Sequence, residues 1–255
     1  MKQLMITILL TTILGMVENN ASAHDIEVIN DDGVPIYYKW INNNTELAVT
    51  IKGTSVSGTS NSFYSGIVNI PETVIYQGNP YSVTCIGGSA FYLCKNLRSV
   101  SIPNSVRSFE QKSFYGCGIT SLIIPNSVTS IGGRAFQNCS ALTSITIPNS
   151  VTNIDSYAFA GCSKLMDLTI PNSLTSINGY VFSGCSSLAS ITIPNSVTCI
   201  KNYAFYECSG LTSINIPNNV TSIEEHAFDK ITTEKAEFTE KHRDDGGIKS
   251  WQEMP

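Results

Sequence analysis

The sequence predicts a mainly β fold, a solenoid of about seven 22–23-residue coils with a small β cap ahead of it. Three observations carry this. Nearly one pattern is written seven times between Val83 and Phe228, and Pro103, Pro125, Pro148, Pro171, Pro194 and Pro217 fall 22 or 23 residues apart, each inside Ile-Pro-Asn. A period of roughly 20–29 residues marks units that bury an apolar face only by stacking. Within a unit, pairs such as Ile145 and Ile147 are spaced by two, which puts both on the inner face of one strand. Hydrophobic residues make up 42% of the 255 and charged ones only 14%, so Ser, Thr and Asn supply the short polar positions facing outward.

Residues 1–23 read as a secretory signal. Lys2 gives the positive start and Leu4 to Val17 an uncharged, largely apolar run. Ala21-Ser22-Ala23 is a small-x-small cleavage pattern, so the mature chain is expected to begin at His24. The run is short for a membrane span of about 20 residues, and no span is expected after cleavage. No cysteine follows where a lipid anchor would need one. An exported, unlipidated protein, secreted or at the cell surface, is the expectation.

Residues 24–80 are expected to form the β cap. A solenoid needs one because its first coil would otherwise expose apolar surface and unpaired strand edges. Pro35 to Ile41 and Glu46 to Ile51 read as strands paired around Asn42-Asn43-Asn44, Gly66 to Ile70 as a further strand, and Gln77-Gly78-Asn79-Pro80 as a turn.

Residues 81–229 are the solenoid. In the coil from Asn126 to Pro148, Leu142, Ile145 and Ile147 face inward, and Pro148 ends the strand because it has no N–H for the ladder. Asn149 suits the turn, where Asn tolerates unusual dihedrals and bonds nearby backbone. Val128 to Ile131 reads as a short second strand on the opposite wall, and Ala135-Phe136 as the start of a short helical turn. Phe91, Phe114, Phe136, Phe159, Phe182, Phe205 and Phe228 are expected to stack as an aromatic spine. One coil is a residue shorter, at Cys117-Gly118-Ile119, which reads as a tolerated trim.

Eight cysteines in an exported chain ordinarily suggest disulfides. Here Cys94, Cys117, Cys139, Cys162, Cys185 and Cys208 occupy one repeat position. Neighbours in such a column sit about 4.8 Å apart with parallel side chains, wider than the roughly 3.5–4.5 Å between Cβ atoms that a disulfide prefers. A buried thiol ladder is the expectation. With no C-x-x-C pair and no accompanying His, neither zinc nor any other cofactor is expected. Cys85 and Cys199 share a second, more exposed position.

After Phe228 the pattern stops. From Asp229 onward 12 of 27 residues are charged. Residues 230–255 are expected to be a disordered tail or a loose polar helix, since Thr233 to His242 lacks an apolar stripe.

Asn-Ser-Val-Thr-Ser-Ile-Gly…Ala-Phe…Cys-Ser…Leu-Thr-Ser-Ile-Thr-Ile-Pro, recurring in register from about Val83 to Phe228, resembles the BspA-like leucine-rich repeat family. That family comprises secreted and surface proteins of host-associated bacteria and some protozoa. Gly33 to Tyr38, Tyr64 to Pro71 and Tyr81 to Thr84 resemble its leading segment. The resemblance implies a curved leucine-rich repeat solenoid used in adhesion or protein recognition, and no particular ligand.

A formal charge of −5 without a basic cluster speaks against nucleic acid as a partner. An enzyme is not expected. His24, His226 and His242 are the only histidines, and a Ser-His-Asp arrangement would have to join His226 to Glu224 or Glu225. Asp155 and Asp167 fall on different walls of one coil, so they make no carboxylate pair. The outward column Ser101, Ile123, Thr146, Thr169, Thr192 and Asn215 reads as a solvated sheet with side-chain hydrogen bonds along the ladder.

The column before each Ala-Phe varies more: Ser89, Lys112, Arg134, Tyr157, Tyr180, Tyr203 and His226. Tyr and Arg are enriched at interface hot spots. Lys112, Arg134, Tyr157, Tyr180, Tyr203 and His226 are therefore the candidate protein-binding residues, although the same column also reads as a tyrosine ladder packing its rings at the solenoid's edge. The expected function is secreted or cell-surface protein recognition, as an adhesin for host matrix or bacterial-surface proteins by family analogy. The alternative is a carbohydrate-binding or surface-scaffold protein of a glycan-using bacterium, for which a clustered exposed aromatic platform would speak.

Overall fold

The computed structural model describes residues 25–51 and 63–231. The signal-like segment and the charged tail beyond Ile231 lie outside the described residues. An antiparallel meander opens the fold: β1 (Ile26–Ile29), β2 (Pro35–Ile41) and β3 (Glu46–Thr50). Asn42, Asn43 and Asn44 make the β2–β3 turn with φ of 49°, 56° and 64°, a left-handed conformation that Asn tolerates better than most residues. Next comes β4 (Gly66–Asn69). Then β5 (Thr73–Tyr76) and β6 (Asn79–Ile86) form a hairpin across Gln77-Gly78, both at positive φ as a two-residue hairpin turn prefers. β1 and β5 add two strands to those expected. β3 lies parallel to β6, so the meander continues directly into a solenoid wall.

Each following coil gives one strand to each of two walls. The first wall holds β7 (Leu97–Ser101), β9 (Ser121–Ile123), β11 (Ser144–Thr146), β13 (Asp167–Thr169), β15 (Ser190–Thr192) and β17 (Ser213–Asn215). The second holds β8 (Ser108–Phe109), β10 (Ser130–Ile131), β12 (Asn153–Ile154), β14 (Ser176–Ile177), β16 (Cys199–Ile200) and β18 (Ser222–Ile223). Pairing between coils is parallel and in register: Ile145 stands beside Leu122 and Leu168, and Ile131 beside Phe109 and Ile154. After the first wall the chain turns at proline, where the Val151 N–H donates to the Pro148 carbonyl (3.0 Å) and the equivalent bond recurs in the other coils. The turn asparagines do not adopt positive φ, so dihedral tolerance is not what places them. The expected bond to backbone is present at Asn149, whose Oδ1 accepts the Asn172 N–H one coil on (3.0 Å).

The Ala-Phe segment is not the helical turn expected, and no helix occurs among the described residues. Two left-handed residues per coil interrupt a helical path, as at Tyr157 (φ 64°) and Gly161 (φ 73°). Between them the N–H groups alternate. Those of Ala158, Ala160 and Cys162 close turns on carbonyls three residues back. Those of Tyr157, Phe159 and Gly161 donate to Gly179, Val181 and Ser183 of the next coil (2.7–3.2 Å). This three-bond ladder recurs at each coil junction from Ser89 to Asp229, always from the earlier coil to the later one. It makes the edge called the ridge below.

Inside, the seven phenylalanines stack with ring centroids 4.9–5.8 Å apart and near-parallel planes. Burying each contributes roughly 1.5–3 kcal/mol, so the spine is a major part of the core. Tyr64 closes its first end, 4.8 Å from Phe91, while its hydroxyl donates to the Thr50 carbonyl and accepts the Tyr37 N–H (3.0 Å each). The cysteine column is a row of buried free thiols, as expected. Sγ of Cys139, Cys162, Cys185 and Cys208 donates to the carbonyl of the phenylalanine one coil earlier (2.9–3.4 Å). Burial pushes the Cys94 and Cys208 thiols up to about 12, and raises those of Cys139, Cys162 and Cys185 as well. Cys85, expected to be more exposed than the main column, is buried as well, because β3 lies beside it with Ala48 in register; Cys199 is half-buried.

Candidate recognition ridge

All six candidate residues stand in left-handed backbone on the ridge: Lys112 (φ 58°), Arg134 (61°), Tyr157 (64°), Tyr180 (59°), Tyr203 (57°) and His226 (59°). Since φ and repeat position agree, each side chain leaves its coil in one direction, and the 22–23-residue period sets neighbours side by side. The Arg134 guanidinium sits 5.0 Å over the Tyr157 ring. Tyr157 and Tyr180 stack at 4.5 Å, Tyr180 and Tyr203 at 4.6 Å, and Tyr203 and His226 at 4.8 Å. Five of the six are thus one continuous stack; Lys112 occupies the same backbone position one coil before it. The rings cover one another's faces, and Tyr157, Tyr180 and Tyr203 are half-buried. Partial desolvation first, then the Tyr157 and Tyr203 neighbours, hold the Tyr180 phenol above its ordinary value.

A second aromatic row, three residues further along each coil, belongs to the same ridge. Tyr92 and Tyr115 stack at 5.0 Å, and the Asn138 side-chain amide donates to the Tyr115 hydroxyl (3.0 Å). Tyr206 meets Tyr203 edge-on at 5.4 Å, and Lys230 Nζ lies 4.9 Å over its ring and 3.0 Å from Glu207. The Tyr206 hydroxyl and then Glu207 push the Lys230 ammonium up to about 12. This row follows the spine directly as Phe91-Tyr92, Phe114-Tyr115 and Phe205-Tyr206, which is the signal that would have revealed it. Neither Glu224 nor Glu225 serves His226: its Nδ1 lies 2.6 Å from Asp229 Oδ2, and Glu224 accepts the Asn202 N–H. Among the described residues no group of three or more His, Cys, Asp or Glu could hold a metal ion, and no helix is long and apolar enough to cross a membrane.

The outward strand columns are exposed, with Ile123 at 83% the most so of the large apolar residues. Hydroxyl bonds along the ladder occur, but in neighbouring columns: Thr152 to the Thr129 carbonyl, Thr198 to Thr175 and Thr143 to Thr120. At the Ile-Pro-Asn corner an open groove of about 700 Å³ runs past Ile123, Thr146 and Thr169 on one side and the asparagines Asn104 to Asn172 on the other.

The chain matches the family described as "BspA type Leucine rich repeat region" in six copies, over residues 57–189 and 129–244. Among solved structures, a leucine-rich repeat protein of T. pallidum is 26% identical with a TM-score of 0.66, over 77% of this chain and 87% of that one. A leucine-rich repeat protein of Bacteroides ovatus is 28% identical (TM-score 0.61, 78% of this chain and 56% of that one). One of Eubacterium ventriosum is 27% identical (TM-score 0.60, 78% and 50%). This chain therefore spans only about half the length of the last two. No curated protein matches it.

Proposed function

Because this chain belongs to the BspA-type leucine-rich repeat family, we propose that it is an exported recognition protein, secreted or held at the cell surface, that grips a protein ligand along the ridge from Lys112 to His226. The observation that carries this reading is a column of bulky residues kept in left-handed backbone. Glycine adopts that conformation freely, whereas a side chain there costs about 1–2 kcal/mol. Ring stacking returns about 0.5–1.5 kcal/mol per pair. The two nearly cancel, so stability alone gives little reason for tyrosine at these positions; what tyrosine adds is a row of large, half-buried rings that continues from the Arg134 guanidinium. A host matrix or bacterial-surface protein is the ligand class, and adhesion the role, by analogy with the family's secreted and surface members.

Pull-down of host and bacterial surface material with residues 24–255, repeated with Tyr157→Gly and Tyr180→Gly, tests this. Glycine relieves the backbone while removing the ring. Capture should fall at least about tenfold, the loss of one hot spot, while the melting temperature moves by only a few degrees. Matched losses of stability and capture would leave the stack a structural ladder and sink the proposal.

A separate observation favours a second reading. The Ile-Pro-Asn groove is lined by Asn, Thr, Ile and Pro and by no charged side chain, so its amides and hydroxyls suit a neutral glycan. The ridge suits one poorly, since its ring faces are already covered. Capture that survives Tyr180→Gly and disappears after glycosidase treatment of the surface material would select the groove.

A further inference from the structure

The coil ending at Pro125 lacks one residue after Cys117. Its neighbours turn that corner as Cys94-Lys95-Asn96-Leu97 and Cys139-Ser140-Ala141-Leu142, whereas Gly118 alone spans it here. The chain cuts straight across. The Gly118 N–H donates to the Cys94 carbonyl (3.0 Å), and a Cβ on Gly118 would lie 2.0 Å from the Lys95 carbonyl oxygen. The missing bulk leaves a pocket of about 470 Å³ in the side of the solenoid, lined by Cys117 together with Lys95, Tyr115 and Asn138. Behind it, Cys117 Sγ lies 3.7 Å from Cys139 Sγ. Cys139 Sγ also donates to the Phe114 carbonyl (2.9 Å), as Cys162, Cys185 and Cys208 do to theirs, and so touches both that carbonyl and the Cys117 sulfur.

We propose that Cys117 and Cys139 are a dithiol site that a small-molecule or protein disulfide oxidises to an intrachain cystine, while the rest of the column stays as thiols. Cys117, on the pocket side, loses its proton to solvent and attacks one sulfur of the incoming disulfide, whose other half leaves as a thiol. Cys139 then gives up its proton and attacks Cys117 Sγ, releasing the second half as a thiol. One S–S bond forms and one breaks; the two cysteines lose two electrons, and the incoming disulfide gains them. The sulfur contact makes the second step intramolecular. Lys95 at the mouth attracts an anionic disulfide such as oxidised glutathione. Cys117 is only 2% exposed, so entry takes a local opening of the Gly116 to Gly118 corner and not unfolding.

The test uses the full chain, reduced, freed of reductant and incubated natively with oxidised glutathione, then blocked and mapped by mass spectrometry without reduction. The expected result is a loss of two hydrogens and a cross-linked peptide pair joining Cys117 to Cys139. Cys94, Cys162, Cys185 and Cys208 should be recovered as thiols. The oxidised chain should melt several degrees higher, since the bridge closes a loop between positions 22 apart. In Cys139→Ala a stable glutathione adduct should remain on Cys117. A lasting adduct on Cys117 of the unaltered chain, a bridge between other members of the column, or no oxidation of the folded chain would each overturn the proposal.

Discussion

Phe159 lies between Phe136 and Phe182, with ring centroids 5.2 and 5.8 Å away, and is fully buried. Phe159→Ala removes a ring from two stacks and opens a cavity that the backbone ladder on either side prevents from collapsing. It should cost about 3–5 kcal/mol, seen as a lower denaturant midpoint; an unchanged midpoint would contradict the stacked core. The spine, like Leu142, Ile145 and Ile147, is readable in the sequence because an inward position must be refilled in every coil. The left-handed positions are not readable in the same way. Tyr157 and Arg134 carry no mark of their backbone angle, and only the glycines at 116, 161 and 184, four residues after the candidate column, hint at one. Tyr64 also escapes sequence reasoning, because its role as the spine's first ring depends on a fold that brings it to Phe91.

At the scale of the element, the cysteine column gives the chain a pH dependence. Folded, Cys85, Cys94 and Cys208 hold their protons up to about 12, and Cys139, Cys162 and Cys185 are raised as well, in each case mainly by burial. The unfolded chain gives up the same protons from about pH 8.5. Above that the unfolded state binds fewer protons, so the contribution is whole below about pH 8 and is lost as pH rises toward 12. The buried phenols of Tyr38 and Tyr64 are raised too and act in the same direction. The urea midpoint should be flat from about pH 6 to 8 and clearly lower by about pH 10, less steeply in Cys185→Ala; a midpoint flat to pH 10 would count against the buried column. The turn that carries these residues was expected to be helical because Ala and Phe read as the start of one. What overrides that preference is the junction: every second N–H is needed by the next coil, and a helix would keep it.

For the whole molecule, stability is a sum over coils and their interfaces. Deleting residues 172–194 joins Pro171 to Asn195 and restores the motif, so the shortened chain should fold with an unchanged far-UV spectrum per residue and a melting temperature lower by several degrees. Deleting 172–182 instead removes β14 and Phe182 while leaving β15, and should unfold the chain; folding of both would refute the coil boundaries. The ridge adds a property that no single coil has. Because the N–H groups that join its coils all donate toward the later one, the peptide dipoles of that ladder add head to tail, as they do in an α-helix. The ridge is therefore electrically polar, negative toward Ser89 and positive toward the last coil. Lys112 and Arg134 stand nearer the negative end, and Glu224, Glu225 and Asp229 at the positive one, where Lys230 is offset by its pairing with Glu207. A ligand laid along this edge would meet two unlike ends, and one of its two orientations would be favoured over the other.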